Sequence, residues 1–288
     1  MPNTKGTPLT TVLGLGLVFS AIAVGVSVQI GSKIADSMIK ESVDRAVTER
    51  LPSAVTDALY KIEADKISAQ VAANLKPWAK AHTASIDGRH IFGSPQAEFS
   101  LVEFSDLECG FCRRLHETPK TLVDQAGGKI NWEWQHFPLQ FHDPVATKGA
   151  EAAECVGEVA SNQAFWAFTG KWFEMSQMNG QGVEDITLLA RLVGAEEKAF
   201  TECLASGKYK PLVEKQIEKG IKLGVTGTPA TFVIDNQTGN RLLVKGAQPP
   251  QAFMEAIEQL VKMRTEAPSQ EGEPKPAAAE AEAEAEAG

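Results

Sequence analysis

The sequence predicts an α/β fold: a strand–helix–strand unit, a wholly helical insertion, then a β-hairpin and a last helix, all preceded by a long helical arm. Three observations carry this. Strand-like runs at 99–104 and 129–137 flank a helical stretch at 113–125, which makes a parallel βαβ unit. Residues 143–223 carry helical patterning throughout. Two further strand-like runs, 230–234 and 241–245, bracket the turn Asp235-Asn236-Gln237-Thr238-Gly239-Asn240, as a hairpin requires.

Taken in chain order, residues 9–30 hold no charged side chain, and Lys5 precedes them. Such a segment at the N-terminus reads as a signal for export. Small residues at Ser20-Ala21-Ile22-Ala23 and Gly25-Val26-Ser27 suit cleavage, and the run of 22 is also long enough to stay as a membrane anchor. Residues 31–84 form the arm. Ile34, Met38, Ile39, Val43, Val47, Leu51, Val55, Leu59, Ile62, Ile67, Val71 and Leu75 recur at steps of mostly three to five, which keeps them on one helical stripe. Pro52 interrupts the pattern and is expected to start a second helix at its first position. An arm of about 50 helical residues reaches roughly 75 Å and cannot bury its own stripe. It either lies on the main domain, pairs with a second copy, or serves as a solvated spacer.

The main domain is expected at 85–264. It opens with an irregular or hairpin stretch at 85–96, marked by Asp87-Gly88 and Gly93-Ser94-Pro95. Residues 129–137 alternate apolar and polar side chains. The helical region 143–223 is expected to break near Ser161-Asn162, Asn179–Gly182, Gly194 and Ser206-Gly207, with Phe165, Trp166, Phe168, Trp172 and Phe173 as a core of its own. A helix over 249–263 closes the domain. Residues 265–288 hold seven Glu and one Lys, so they carry −6 of the net charge of −9. That tail has almost nothing apolar to bury and is expected to be disordered. No basic stripe or nucleic-acid motif is present, which excludes that class of partner.

Four cysteines occur, at 109, 112, 155 and 203. Cys109-Gly110-Phe111-Cys112 follows a strand and opens a helix, the placement of a redox-active dithiol. The free N–H groups and dipole of a helix start favour a thiolate on the first cysteine, and the thiolate is the nucleophile. Cys112, one turn further in, then serves as the resolving thiol. The alternative is half of a zinc site, which needs more Cys or His close by. His116 is within reach of the motif, although a lone His on a helix face is more often a surface residue. Cys155 and Cys203 stand singly on separate helices.

Residues 93–263 resemble the DsbA-like branch of the thioredoxin superfamily. Two stretches carry the resemblance: Phe99-Ser-Leu-Val-Glu-Phe-Ser-Asp-Leu-Glu-Cys-Gly-Phe-Cys112, and Gly224-Val-Thr-Gly-Thr-Pro-Ala-Thr-Phe-Val-Ile234. The resemblance implies a thioredoxin fold with a helical insertion and a redox-active disulfide between Cys109 and Cys112. It implies a cis peptide bond at Thr228-Pro229, in a loop that offers its backbone to an extended substrate; the other reading of Thr-Pro is an ordinary turn. It makes Glu103 a buried acid that shuttles a proton to or from Cys112, against the alternative of an outward-facing surface carboxylate. It also suggests a structural disulfide, Cys155–Cys203, against two free thiols. No cofactor and no metal is implied.

The resemblance further implies unfolded or wrongly bridged proteins as substrates, a periplasmic location and a membrane redox partner. Gly110-Phe111 is similar to the Gly-Tyr pair of dimeric disulfide isomerases, and a threonine before the cis-proline is of their type too. With the arm as a dimerisation segment, the expectation is a homodimeric disulfide isomerase. The competing expectations are a monomeric or membrane-tethered DsbA-like oxidase and, more remotely, a holdase chaperone.

Overall fold

Five strands, β1 (His90–Phe92), β2 (Phe99–Ser105), β3 (Ile130–His136), β4 (Ala230–Asp235) and β5 (Arg241–Lys245), form one sheet in the order β1-β3-β2-β4-β5. The central pair β2–β3 is parallel, with Glu103 opposite Trp134, and every other pairing is antiparallel. This computed structural model describes residues 39–45, 48, 51–82, 85 and 88–266. The segment expected to direct export and the acidic stretch beyond Glu266 expected to be disordered lie outside the described residues. Among the described residues no helix is long and apolar enough to cross a membrane.

The chain divides into two compact units, residues 1–64 and 65–288. In the first, residues 39–45 are helical and helix α1 (Leu51–Leu75) begins, with Pro52 as its second residue. Val55, Leu59 and Ile62 of the expected stripe are more than half exposed within a single chain. The second unit starts earlier than residue 85, because Trp78, in the 3-10 turn Lys76–Trp78 after α1, is buried in the core of the domain.

The domain's helices are α2 (Gly110–Leu115), α3 (Glu117–Gln125), α4 (Val145–Val159), α5 (Asn162–Met175), α6 (Ile186–Leu192), α7 (Glu197–Ser206), α8 (Lys210–Lys222) and α9 (Pro250–Glu266). The five insertion helices break where the turn residues predict. Ser161 caps α5 by accepting from Ala164 N–H, Asp185 caps α6, and Gly207 ends α7 in the left-handed region. Helix α9 runs two residues into the segment assigned to the tail. The helix expected from Arg113 instead begins at Gly110 and is interrupted at His116.

Two layers of side chains cover the sheet. Leu101, Trp132, Trp134 and Val233 face the larger core with Phe165, Trp166, Phe168 and Phe253. Val102, Phe104 and Phe232 face a smaller core against α8, with Phe137 and Val225. Helix α8 approaches closely because it carries Gly220, where a Cβ would lie 2.6 Å from the Phe137 ring. The polar side of β3 is therefore buried as well. Glu133 is paired with Arg89 at 3.2 Å and accepts from Gln135 at 2.8 Å, which removes the cost of covering it. The stretch 85–96 contains β1, whose antiparallel pairing with β3 has no counterpart in its own sequence pattern.

Candidate active site

The site stands where β2 ends and α2 begins. Cys109 is the N-cap of α2, with extended backbone (φ −86°, ψ 118°), and Cys112 is fully buried one turn on. Both are free thiols. The Cys109 thiol is pulled down from 9.0 to about 6: Cys112 donates to its sulfur, burial opposes this, and Thr228 and the N–H groups of Cys112 and Phe111 add to the pull. The last two are the uncommitted donors of a helix start, which favour an anion. Cys112 is pushed the other way, well above 9.0, by burial, then by the hydrogen bond it donates to Cys109 and by the negative charge of Cys109 and Glu103. Its sulfur accepts from Asp106 N–H at 3.5 Å.

Thr228-Pro229 is a cis peptide, and it lies against the dithiol: Cys109 Sγ is 3.5 Å from the Thr228 carbonyl oxygen. The Thr228 hydroxyl is buried and unpaired in the dithiol form, so it is left to donate to the thiolate. Beside it, Thr226, Gly227, Leu243 and Lys245 line a cavity of about 220 Å³. Phe111, between the two cysteines, is 57 % exposed, with the Arg114 guanidinium 4.4 Å above its ring.

Glu103 lies on the core face of β2, fully buried, with both oxygens unpaired. Burial raises it from 4.5 to about 7, while Ser105 and Trp132 pull weakly in the other direction from outside hydrogen-bonding geometry. The hydroxyls of Ser105 and Thr231 and the Trp132 indole N–H are also unpaired and buried. Buried polar groups left in that state are uncommon, and each calls for an explanation.

Sequence reasoning missed two carboxylates beside the motif. Glu108, adjacent to the nucleophile, is fully buried and accepts four hydrogen bonds. Trp172 Nε1–H and the Ser176 hydroxyl donate to Oε1, both at 2.7 Å, and Gly180 and Gly182 N–H donate to Oε2 at 2.9 and 3.0 Å. It thus ties the active-site turn to α5 and the loop after it. Asp106 accepts from Glu108 N–H at 2.7 Å and from Leu139 N–H at 2.9 Å, and its Oδ2 lies 2.6 Å from His142 Nδ1. Burial raises its carboxyl, and His142 opposes the rise. The available signal was two acids, Asp106 and Glu108, within the three residues before the CxxC. A second cis peptide, Asp143-Pro144, follows His142 and was not foreseen.

Cys155 and Cys203 are joined, with S–S 2.02 Å across a separation of 48 residues, and so tie α4 to α7. They are thereby unavailable to complete a zinc cluster with Cys109 and Cys112. His116 is not the surface residue expected of a lone helical His: it is 3 % exposed and enclosed by aromatic rings.

A family model described as Thioredoxin matches residues 85–284. The crystal structure of Pseudomonas aeruginosa DsbA2 superposes with a TM-score of 0.55 at 28 % identity, over 60 % of this chain and 93 % of that one. BdbD from Bacillus subtilis, in its oxidised form, shares the fold, with a TM-score of 0.51 at 23 % identity over 63 % and 97 % of the two chains. The thiol:disulfide interchange protein DsbC of Escherichia coli K12 is 25 % identical over 178 residues, 60 % of this chain and 56 % of that protein. The Na(+)/H(+) antiporter NhaA 1 of Mycolicibacterium gilvum is 28 % identical over 146 residues, half of this chain but only 23 % of the antiporter. The chain thus spans under a quarter of the antiporter's length and a little over half of DsbC's.

Proposed function

The chain belongs to the thioredoxin family, in its DsbA-like form, and from that premise we propose that it exchanges disulfides with protein substrates through Cys109 and Cys112. One observation carries the reading. The two thiols are pushed in opposite directions, Cys109 down to about 6 and Cys112 well up, so at neutral pH one is a ready nucleophile and the other a protected proton carrier.

The Cys109 thiolate attacks one sulfur of a substrate disulfide, forming a mixed disulfide and releasing the other sulfur as a thiolate. Cys112 then gives up its proton and attacks Cys109 Sγ. The Cys109–Cys112 bond forms, and the substrate leaves as a dithiol carrying the two electrons. Glu103, held near 7, is matched to take the Cys112 proton and return it in the reverse direction. Thr228 and Pro229 hold the extended substrate beside the sulfurs. When a substrate thiol instead attacks the mixed disulfide, the result is isomerisation.

The finer reading is a homodimeric disulfide isomerase of the periplasm. Residues 1–30 act as signal or anchor, the segment from 31 to about 64 as the dimerisation arm, and residues 65–266 as the catalytic domain with its insertion at 143–223; 267–288 form the tail. Its supports are the exposed Val55, Leu59 and Ile62 on the arm and the match to DsbC. The second reading, a DsbA-like oxidase recharged by a membrane redox partner, is favoured by the low Cys109 value, since a stable thiolate makes the disulfide a stronger oxidant. Reactivation of a scrambled multi-disulfide protein separates them. If the chain restores activity and a version beginning at Asp65, which keeps Trp78 in the core, does not, the arm belongs to an isomerase. Equal activity of the two, or oxidation of reduced substrate alone, supports the oxidase.

A further inference from the structure

Disulfide exchange asks Cys112 to carry a charge where the structure makes charge costly. Cys112 must be a thiolate to attack Cys109 Sγ, and it is the leaving thiolate when the Cys109–Cys112 bond is opened. Its sulfur is fully buried, and burial, the hydrogen bond to Cys109 and the charges of Cys109 and Glu103 all oppose that state. The influence on the other side is the backbone N–H of Asp106, 3.5 Å away.

That N–H lies just past Ser105, the last paired residue of β2, so no strand ladder holds it. The Asp106 side chain holds it instead, through a carboxylate that is 1 % exposed and accepts three hydrogen bonds. Glu108 N–H donates to Oδ1 at 2.7 Å, and Leu139 N–H and His142 Nδ1 approach Oδ2 at 2.9 and 2.6 Å. A carboxylate only accepts, so Nδ1 is the protonated ring nitrogen. His142 is thus the one side chain among the three donors. It is fixed in turn: its backbone N–H donates to the Leu139 carbonyl at 2.8 Å, and its ring is buried against Phe141. Burial pushes the Asp106 carboxyl toward its neutral form, and His142 opposes that. A neutral carboxyl would present a donor to N–H groups that need an acceptor, and the turn at 106–108 would lose an anchor.

We propose that His142 is a positioning residue for the exchange: by donating to Asp106 it keeps the Asp106 N–H on the Cys112 sulfur and eases formation of the Cys112 thiolate. The proposal rests on the exchange reading above. Its effect is confined to steps in which Cys112 gains charge, which excludes attack by Cys109. The negative charge of Asp106 by itself disfavours a second charge on Cys112, so the direction of the change on removing His142 separates positioning from simple repulsion.

The test uses the full chain with Cys109 and Cys112 oxidised and follows reduction of that bond by dithiothreitol, in which Cys112 leaves as the thiolate. His142→Leu is expected to slow reduction about three- to tenfold, because a hydrogen bond to a charged group shifts a pKa by about one to two units and the rate follows about half of such a change. His142→Asn, whose amide offers an N–H at the position of Nδ1, is expected to restore the rate to within about twofold. Adding His142→Leu to Cys112→Ala is expected to leave the alkylation of Cys109 by iodoacetamide unchanged. If His142→Leu does not fold, His142→Gln takes its place: its amide lies one bond further out, and it is expected to be slow where His142→Asn is not. Unchanged or faster reduction without the His142 donor overturns the proposal. So does a parallel loss of Cys109 alkylation, or a failure of His142→Asn to restore the rate. If the natural chain forms no Cys109–Cys112 bond that dithiothreitol can open, the exchange reading itself falls, and this proposal with it.

Discussion

Replacing Cys112 with Ala removes the largest of the influences that pull Cys109 down, the donation from the buried thiol to the thiolate. A hydrogen bond to a charged group contributes about 1.5–3 kcal/mol, which is about one to two pKa units. Cys109 is then expected to rise from about 6 to about 7–8, still below its ordinary 9.0 because the N–H groups of Phe111 and Cys112 and the Thr228 hydroxyl remain. At pH 7 the thiolate fraction should drop from about nine-tenths to between about a half and a tenth. The assay is the rate of iodoacetamide alkylation as a function of pH, with thiolate absorbance as a second reading. A folded value below the unfolded one stabilises the reduced protein fully above about 9, and that stability is lost as pH falls through about 6. At pH 7 this amounts to about 1 kcal/mol once solvent at the partly open sulfur is allowed for, and the variant should lose most of it. An inflection that stays near 6 in Cys112→Ala would refute the reasoning and assign the shift to Thr228 and the helix start.

Glu103→Gln should slow release of the mixed disulfide near neutral pH while making the fold more stable. The raised Glu103 value means stability is full below about 4.5 and lost as pH rises through about 7, so the variant should gain about 3 kcal/mol at pH 8 in denaturant melts. Glu108→Ala strands the four donors that Glu108 now accepts from, and a loss of at least about 3 kcal/mol is expected in the same measurement. Glu154, held down to about 2 chiefly by His90 and His136 against the opposing effect of burial, contributes stability that is present above about 4.5 and lost as pH falls through about 2. Acid unfolding should therefore show about 3 kcal/mol of steepening in that window, which Glu154→Gln removes.

What was legible in the sequence was local. The apolar run ending at Ser105, the CxxC that follows, and the Ser161, Gly194 and Gly207 breaks of the insertion each act within a few residues, so their pattern survives without tertiary information. What was not legible depends on distant partners. Three-residue β1 exists because β3 pairs with it. Glu108 reads as one more surface acid until Trp172, Ser176, Gly180 and Gly182, more than sixty residues on, converge on it. His116 follows the same logic: nothing near it in sequence announces the rings of Trp78, Trp132 and Phe173. Glu103 shows the middle case. An acid in an apolar strand was visible, but its side of the sheet followed only from the register that sets it beside Trp134 and Thr231.

The most direct test of the exchange mechanism is to mix Cys112→Ala protein with a disulfide-bonded substrate and identify the adduct by mass spectrometry of its peptides. The account predicts a persistent mixed disulfide at Cys109, formed at a rate that follows the Cys109 thiolate and absent from Cys109→Ser. No adduct at Cys109, or one at Cys155 or Cys203 instead, would contradict it.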